Sequence, residues 1–357
     1  MGLRTLHLDA GHEWRGGQRQ VWLLAQGLRA RGHEPLVVGI PDSPLLQRLR
    51  ARGVAVAAVP MRADWDLRAA RRIRALIKAW RPDVVHAHDA RSHAIAMAAL
   101  LGSEVPLIVT RRVPFIPKSV RFKYGRRVSR FIAISNAVRD ALVRGGVDRR
   151  RIEVVFSGVP TPHVAEPRDW RAECGWPDDS ILLGVVGAMT AEKGIGLLTE
   201  VAERLPANVR SRARLVLLGG KSSGRCSIGG VDAYRAGFVD EIHAAMSGLD
   251  ILLHPSSAEG LGTAVVDAMA LGVAPVAFAV GGLVELIQHE RNGLLVSPGD
   301  AVGFAAAATL LIEDERLRHR LGAAGRVRAA SFDVDSMVRG TEDTYESVLA
   351  SRVAAGV

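Results

Sequence analysis

Short β-branched runs alternate with longer amphipathic segments through most of this chain, and that rhythm limits its fold more than any other feature. In the first half, residues 5–8, 36–39, 54–59, 83–87, 107–110, 131–134 and 152–155 read as strands, and 20–31, 67–80, 93–101 and 137–144 as helices. Strands separated by helices imply an α/β fold with parallel sheets. Residues 157–167 contain Pro160, Pro162 and Pro167, which deny that stretch regular structure and mark it as a linker. The rhythm restarts at 181–186 and continues with strands at 214–218, 251–254, 273–277 and 293–296. Helices at 302–312 and 315–329 precede a last one over 334–353, which exceeds what the second sheet needs and is free to pack back across the interface. Open parallel sheets place ligand crevices at the carboxyl ends of their strands. Two such halves facing each other would form one cleft with a donor and an acceptor side.

At 357 residues the chain can bury two substantial cores. A hydrophobic content of 48% with 24% charged residues belongs to the soluble globular class. Two cysteines, Cys174 and Cys226, have neither metal-like spacing nor the density of a disulfide scaffold, so a reducing cytoplasm is expected. The first nine residues are too short and polar for a signal peptide, and no run of about 18 apolar residues occurs, so a soluble or peripheral protein is expected. The net charge of +10 points to nucleic acid, an anionic membrane surface or a phosphorylated substrate as partner.

Several segments carry chemistry. Strand 251–254 runs into a Gly-rich turn with one carboxylate, Glu259, and a helix follows with a second, Asp267. That arrangement aims backbone N–H groups and acids at one pocket, which suits a ligand with both phosphates and hydroxyls. The loop 187–194 follows a strand, opens a helix and holds Lys193, a phosphate-binding arrangement that is also an ordinary connector. Gly16 and Gly17, between the first strand and first helix, let a backbone approach a ligand or simply form a surface turn. His86, His88 and Asp89 end a strand, where His88 and Asp89 can hydrogen-bond a sugar; two histidines without a third ligand do not make a zinc site, and no metal is assigned. Asp64 and Asp66 mimic a D-x-D metal motif but precede a basic helix, where acids are ordinary. Segment 111–130 contains Arg111, Arg112, Lys118, Arg121, Lys123, Arg126, Arg127 and Arg130 with Phe115, Phe122 and Tyr124 and no acid. That composition suits an anionic bilayer surface, a phosphorylated acceptor or RNA, or a plain solvated face.

Taken together, these motifs resemble the retaining glycosyltransferases of family 4, which have the GT-B fold of two facing Rossmann-like domains. The resemblance covers nearly the whole chain and is strongest over 238–300, through Phe238, Val239 and Asp240, the Glu259 turn, Gly281 and Gly282, and the run Asn292 to Asp300. It implies an N-terminal acceptor domain over 1–160, a linker at 161–172, a nucleotide-sugar donor domain over 173–330 and a C-terminal helix at 331–357 crossing back. The family's E-x7-E motif falls on Glu259 and Asp267, an Asp where Glu is usual. By the resemblance, Glu259 meets the donor sugar, Gly260, Leu261, Gly262 and Thr263 meet sugar hydroxyls and diphosphate, and Asp267 holds the ribose. Val239 lies beside the base, and Gly16, Gly17 and Ala188 line the donor site, Ala188 standing where an Arg is usual. Ser157-Gly158-Val159-Pro160 stands where Asn-Gly-Val-Asp is usual, a departure confined to the linker's local contacts.

The expected reaction moves a sugar from a nucleoside-diphosphate sugar to a hydroxyl of a cell-envelope glycan or lipid-linked acceptor, with retained configuration and neither metal nor cofactor. Glu259, Lys193 and His88 are the expected catalytic residues, and Asp89, Arg111 and Arg112 the acceptor contacts. A cytoplasmic enzyme is expected, peripheral on the inner membrane face through segment 111–130, with nucleic acid not expected as partner. A GT-B epimerase or phosphorylase, and a non-catalytic membrane- or RNA-associated binding protein, are the competing readings.

Overall fold

A computed structural model describes residues 2–117, 124–125, 127–164 and 166–354. The chain forms two compact units, Met1–Gly158 together with Val334–Val357, and Val159–Asp333. The first unit holds strands β1 (Arg4–Leu8), β2 (Glu34–Gly39), β3 (Ala55–Ala58), β4 (Val84–Ala87), β5 (Leu107–Arg111), β6 (Val128–Ala133) and β7 (Ile152–Val154). They form one sheet in the order β3-β2-β1-β4-β5-β6-β7, with every pairing parallel. The second unit holds β8 (Ile181–Val186), β9 (Ala213–Ile228), β10 (Val231–Gly237), β11 (Ile251–His254), β12 (Ala274–Phe278) and β13 (Leu294–Val296), in the order β10-β9-β8-β11-β12-β13. Its antiparallel pairing is the hairpin of β10 with the far half of β9, Ser223–Ile228, while Leu215–Gly219 stand beside Ala233–Gly237 in rising register and the other strands pair in parallel.

Helices covering a parallel sheet bury both of its faces, which is why its strands are continuous apolar runs. β8 reads Ile-Leu-Leu-Gly-Val-Val with its first five residues buried, and all of β12 is buried. In each unit the strand order reverses at one point, between β1 and β4 in the first and between β8 and β11 in the second. Connections leave such a point in opposite directions, so a crevice opens at the carboxyl ends of those two strands.

The last helix, Val334–Ala354, belongs to the first unit. Its Met337, Val338, Tyr345 and Val348 pack with Leu23, Leu24 and Leu28 of helix Gly16–Ala30 and with Val84, Ile108 and Ile132 of the sheet. Arg31 and His33 both meet Glu342 on this helix, at 2.6 and 2.8 Å. Tyr345 is fully buried, and its hydroxyl lies 2.6 Å from His86 Nδ1.

Three expectations need correction. The first helix begins at Gly16, not Gln20, because N–H groups in a first helical turn lack intrahelical partners in any case and glycine is tolerated there. The second unit begins at Val159, whose N–H donates to Phe332 O (2.8 Å), and helix Trp170–Cys174 occupies part of the span expected to be linker. β9 runs on to Ile228 and turns back through Gly229 and Gly230 into β10, a hairpin where only strand 214–218 was expected. Among the described residues no helix is long and apolar enough to cross a membrane.

Candidate active site

In the second unit, β8 leads through loop 187–190 into a short turn, Ala191–Lys193, and then helix Ile195–Arg204. β11 leads through Pro255, Ser256 and Ser257 to Glu259. Ser257 N–H donates to Glu192 O (3.0 Å), locking the two loops together across the switch point. Lys193 Nζ pairs with Glu259 Oε1, and His254 Nε2 donates to the same oxygen at 2.8 Å. Ser256 Oγ lies 3.2 Å from that nitrogen. Burial works to raise the Glu259 carboxyl, but the hydrogen bond and attraction of His254, with the Lys193 ammonium, outweigh it and bring the group down to about 2. Glu259 is therefore an anion at any working pH.

Gly281 and Gly282 form the bed of this turn. Gly282 N–H donates to Glu259 O (3.3 Å), and a Cβ on either glycine would collide with backbone of residues 259–261. Helix Thr263–Leu271 follows, with Gly262 as N-cap and no capping side chain. The helices at Gly16 and Ile195 likewise start without a side-chain cap, as do Pro44–Ala51 and Ala207–Arg210, whereas Asp66, Asp89, Ser135 and Asp300 cap theirs. Uncapped starts leave N–H groups and the positive end of the helix dipole available to an anion. Asp267 is buried, and His243 Nε2 lies 2.7 Å from its Oδ1.

In the first unit His7, Asp9, His88, Asp89 and Arg112 come together at and just beyond the carboxyl ends of β1 and β4. The Arg112 guanidinium can only donate, so His88 Nδ1, 3.4 Å away, is the acceptor. The His88 proton then sits on Nε2 and faces His7 Nδ1 (3.0 Å), and His7 Nε2–H donates to Thr5 Oγ1 (2.9 Å). His86 uses both nitrogens, on Tyr345 and on Thr110 Oγ1 (2.7 Å). Burial lowers all three imidazoles, His7 to about 3 and the other two well below their ordinary value, so the rings are neutral. His7 is the third imidazole that the sequence did not reveal, and candidate ligand atoms of the three lie within 4.8 Å of one another. Their nitrogens already serve a hydrogen-bonded chain that holds Arg112, and this donor set does not fit an ion without breaking it.

Asp9 was not anticipated. It accepts from Gly11 N–H (2.9 Å) and Gln18 Nε2 (3.0 Å) and is 2% exposed. Burial raises its carboxyl to about 6, the Asp89 charge adding to the effect against those hydrogen bonds. A buried acid harder to ionise than in the unfolded chain lowers stability as pH rises from its unfolded value, 3.8, to about 6, and the deficit persists above that. Asp9→Asn keeps the acceptor oxygen without the charge. Its gain in stability is expected to reach about 2–3 kcal/mol near pH 8 and to shrink towards pH 4. Thermal melts at the two pH values check this, and equal gains at both would refute it.

The structure thus brings Glu259 and Lys193 together and gathers Gly260, Leu261, Gly262 and Thr263 around the same helix start. Ala188 lies in the loop after β8, and its methyl group supplies no charge; the cation paired with Glu259 there is Lys193. Val239 is half-buried just beyond β10, and Gly16 and Gly17 open the first helix. His88 is 2% exposed, with one ring nitrogen facing His7 and the other facing Arg112. Asp89 caps its helix through Arg91 and Ser92 N–H (both 2.9 Å) and also accepts from Ala10 N–H (2.7 Å). Arg111 donates to Phe115 O (3.4 Å), and Arg127 to the carbonyls of Leu100, Ser103 and Val105. Arg111, Arg112 and Arg127 of segment 111–130 are thus turned to protein groups. Lys118, Arg121, Phe122, Lys123 and Arg126 lie outside the described residues.

Two doubly wound units, one carrying an acid–lysine pair beside an uncapped helix start, belong to the GT-B fold class. Residues 14–162 match the model described as Glycosyltransferase Family 4, and 167–328 that described as Glycosyl transferases group 1. The chain belongs to glycosyltransferase family 4 and is a glycosyltransferase. It is 30% identical over 310 residues to a D-inositol 3-phosphate glycosyltransferase of Xylanimonas cellulosilytica, an alignment covering 76% of this chain and 73% of that one. A GDP-mannose-dependent alpha-mannosyltransferase of Mycobacterium tuberculosis is 27% identical over 89% of this chain and 90% of its own. In fold it is similar to Anabaena Alr3699/HepE, solved with UDP-glucose, at a TM-score of 0.84, 21% identity and 97% and 100% coverage.

Proposed function

We propose that this glycosyltransferase moves a sugar from a nucleoside-diphosphate sugar to a hydroxyl of a lipid-linked or cell-envelope glycan acceptor, with retention and without a metal. The observation that carries the reading is the Lys193–Glu259–His254 cluster at the switch point of the second unit, beside the uncapped helix start at Thr263. The family, the UDP-glucose of the Anabaena structure and the GDP-mannose of the mycobacterial relative support the donor class. In this reading Lys193 and the Thr263 helix start neutralise the diphosphate, Glu259 accepts from sugar hydroxyls and Asp267 holds the ribose. The acceptor oxygen bonds to the anomeric carbon as the sugar–phosphate bond breaks on the same face, and the acceptor proton passes to the departing phosphate oxygen. Val113, Phe115 and Ile116, exposed by 37%, 52% and 55% next to Arg112, support an acceptor with an apolar portion. Work on the cytoplasmic face of a membrane, where nucleotide sugars are available, follows from that acceptor.

The test is a thermal-shift screen against UDP-, GDP- and ADP-sugars, followed by NMR of the product. One donor class is expected to raise Tm, and Lys193→Ala to abolish that rise and lower turnover about 10²–10³-fold. Turnover should persist in excess EDTA and the product should keep the donor's anomeric configuration. Loss of activity reversed by a divalent ion would overturn the metal-free reading. Free epimerised sugar, or a requirement for phosphate, would replace transfer by epimerase or phosphorylase chemistry.

A further inference from the structure

Residues 62–81 hold seven cations, Arg62, Arg68, Arg71, Arg72, Arg74, Lys78 and Arg81, against two acids, Asp64 and Asp66. That surplus of five is half of the chain's +10. The two acids precede the helix Leu67–Trp80, and Asp66 is occupied as its N-cap, accepting from Arg68 and Ala69 N–H (3.1 and 3.0 Å). The helix buries Ala69, Ala70, Ile73 and Ile77 against the first unit. At 3.6 residues per turn, Arg68, Arg71, Arg72 and Lys78 fall on the opposite side, with Leu67 and Arg74 towards one flank, and all six are exposed. The result is a cationic stripe about 15 Å long.

Large apolar side chains border it. Leu67 is 62% exposed, Trp65 before the N-cap 48%, and Leu101 64%. Arg74 reaches towards Gly102, its guanidinium 3.9 Å from where a Cβ there would stand, which brings the stripe up to Leu101.

We infer that this helix face docks the protein on an anionic phospholipid surface. Basic side chains bind the headgroup phosphates, while Trp and Leu at the margin enter the headgroup–acyl boundary. A nucleic acid would use the cations equally well but gains nothing from exposed leucines, so the lipid surface is the partner that accounts for both features. This inference concerns a helix of the first unit, whereas the Glu259 turn belongs to the second, and it does not depend on the donor chemistry.

The test is co-sedimentation of the full chain with vesicles of phosphatidylcholine alone and with about a third phosphatidylglycerol, at graded salt. Binding is expected to the anionic vesicles only and to weaken as salt rises. Each cation near such a surface strengthens partitioning about five-fold, so the variant Arg68→Gln/Arg71→Gln/Arg72→Gln/Arg74→Gln should bind at least about a hundred-fold less. Circular dichroism and unchanged turnover on a soluble acceptor would show that variant folded. Leu67→Gln should weaken binding several-fold even at high salt. Unchanged binding by the quadruple variant, equal binding to neutral vesicles, absence of vesicle binding, or displacement of vesicles by duplex RNA would each overturn the inference.

Discussion

Glu259→Gln is expected to lower turnover by about 10²–10³-fold or more while leaving the sheet of the second unit intact. Glutamine keeps the size and one acceptor oxygen but removes the charge that pairs with Lys193 and accepts from His254 Nε2. The ammonium of Lys193 would then lose its partner, and in the proposed reaction the sugar hydroxyls would lose their anionic acceptor. Glu259 has a second, pH-dependent signature. Its folded value is lowered from 4.5 to about 2, so its contribution to stability is fully present above 4.5 and is lost as pH falls through 2. The Tm gap between parent and Glu259→Gln should be largest at neutral pH and close towards pH 2. A carboxylate that stays ionised is no proton donor, so the profile of kcat against pH should show no limb from this group across the neutral range. Near-parental turnover by the variant, measured at saturating donor, would remove Glu259 from the mechanism. A Tm gap independent of pH would show that its charge plays no part in holding the turn.

How far the sequence reveals such a site depends on how local each determinant is. Helix Leu67–Trp80 is legible to the residue because its signals are local: an Asp N-cap, apolar residues at 69, 70, 73 and 77, and Pro82 just past its end. β8 and β11 are equally plain, being apolar runs buried on both faces. The β9–β10 hairpin is not, because Gly219, Gly220 and Gly224 interrupt β9 and its far half is held by pairing with β10 alone. One signal was there to be read: Ile228-Gly-Gly-Val231 is the kind of two-residue turn that joins antiparallel strands. In the site, Glu259 and Lys193 stand in recognisable turns, but their pairing spans 66 residues and follows from the order of β8 and β11. His254 lies in the same stretch as Glu259, five residues away, yet only the folded turn shows that it donates to that carboxylate. His7 and Asp9 were invisible because β1 gains its polar neighbours from β4, some 80 residues on, and from the basic segment after β5. His88 was recognised as a site residue, but its orientation, inward to His7 and Arg112, depends on those distant partners.

Gly281→Ala should be as damaging as loss of Glu259 itself, although residue 281 contributes no side chain to the site. The backbone there has φ +51°, which L-residues adopt at a cost of about 1 kcal/mol. The larger effect is steric. A Cβ would collide with the Glu259 carbonyl oxygen and stand 2.9 Å from its carbon and 3.4 Å from its nitrogen. Backbone cannot swing aside as the end of a long side chain can, so the turn carrying Glu259 must shift, and a displacement of about 1 Å from productive geometry costs on the order of 10² in rate. Strain and overpacking together should lower stability by about 2–4 kcal/mol. Gly299 separates the two causes: its φ is +80°, but nothing lies within 4 Å of its added Cβ. Gly299→Ala is expected to lose about 1 kcal/mol and keep its turnover, whereas Gly281→Ala loses both stability and turnover, the latter even at temperatures where the variant is fully folded. Denaturant unfolding and initial rates on the two variants give the comparison. If Gly281→Ala turned over like Gly299→Ala, the Glu259 turn would not be held by its contact with the Gly281–Gly282 backbone, and the ion pair to Lys193 would have to hold it alone.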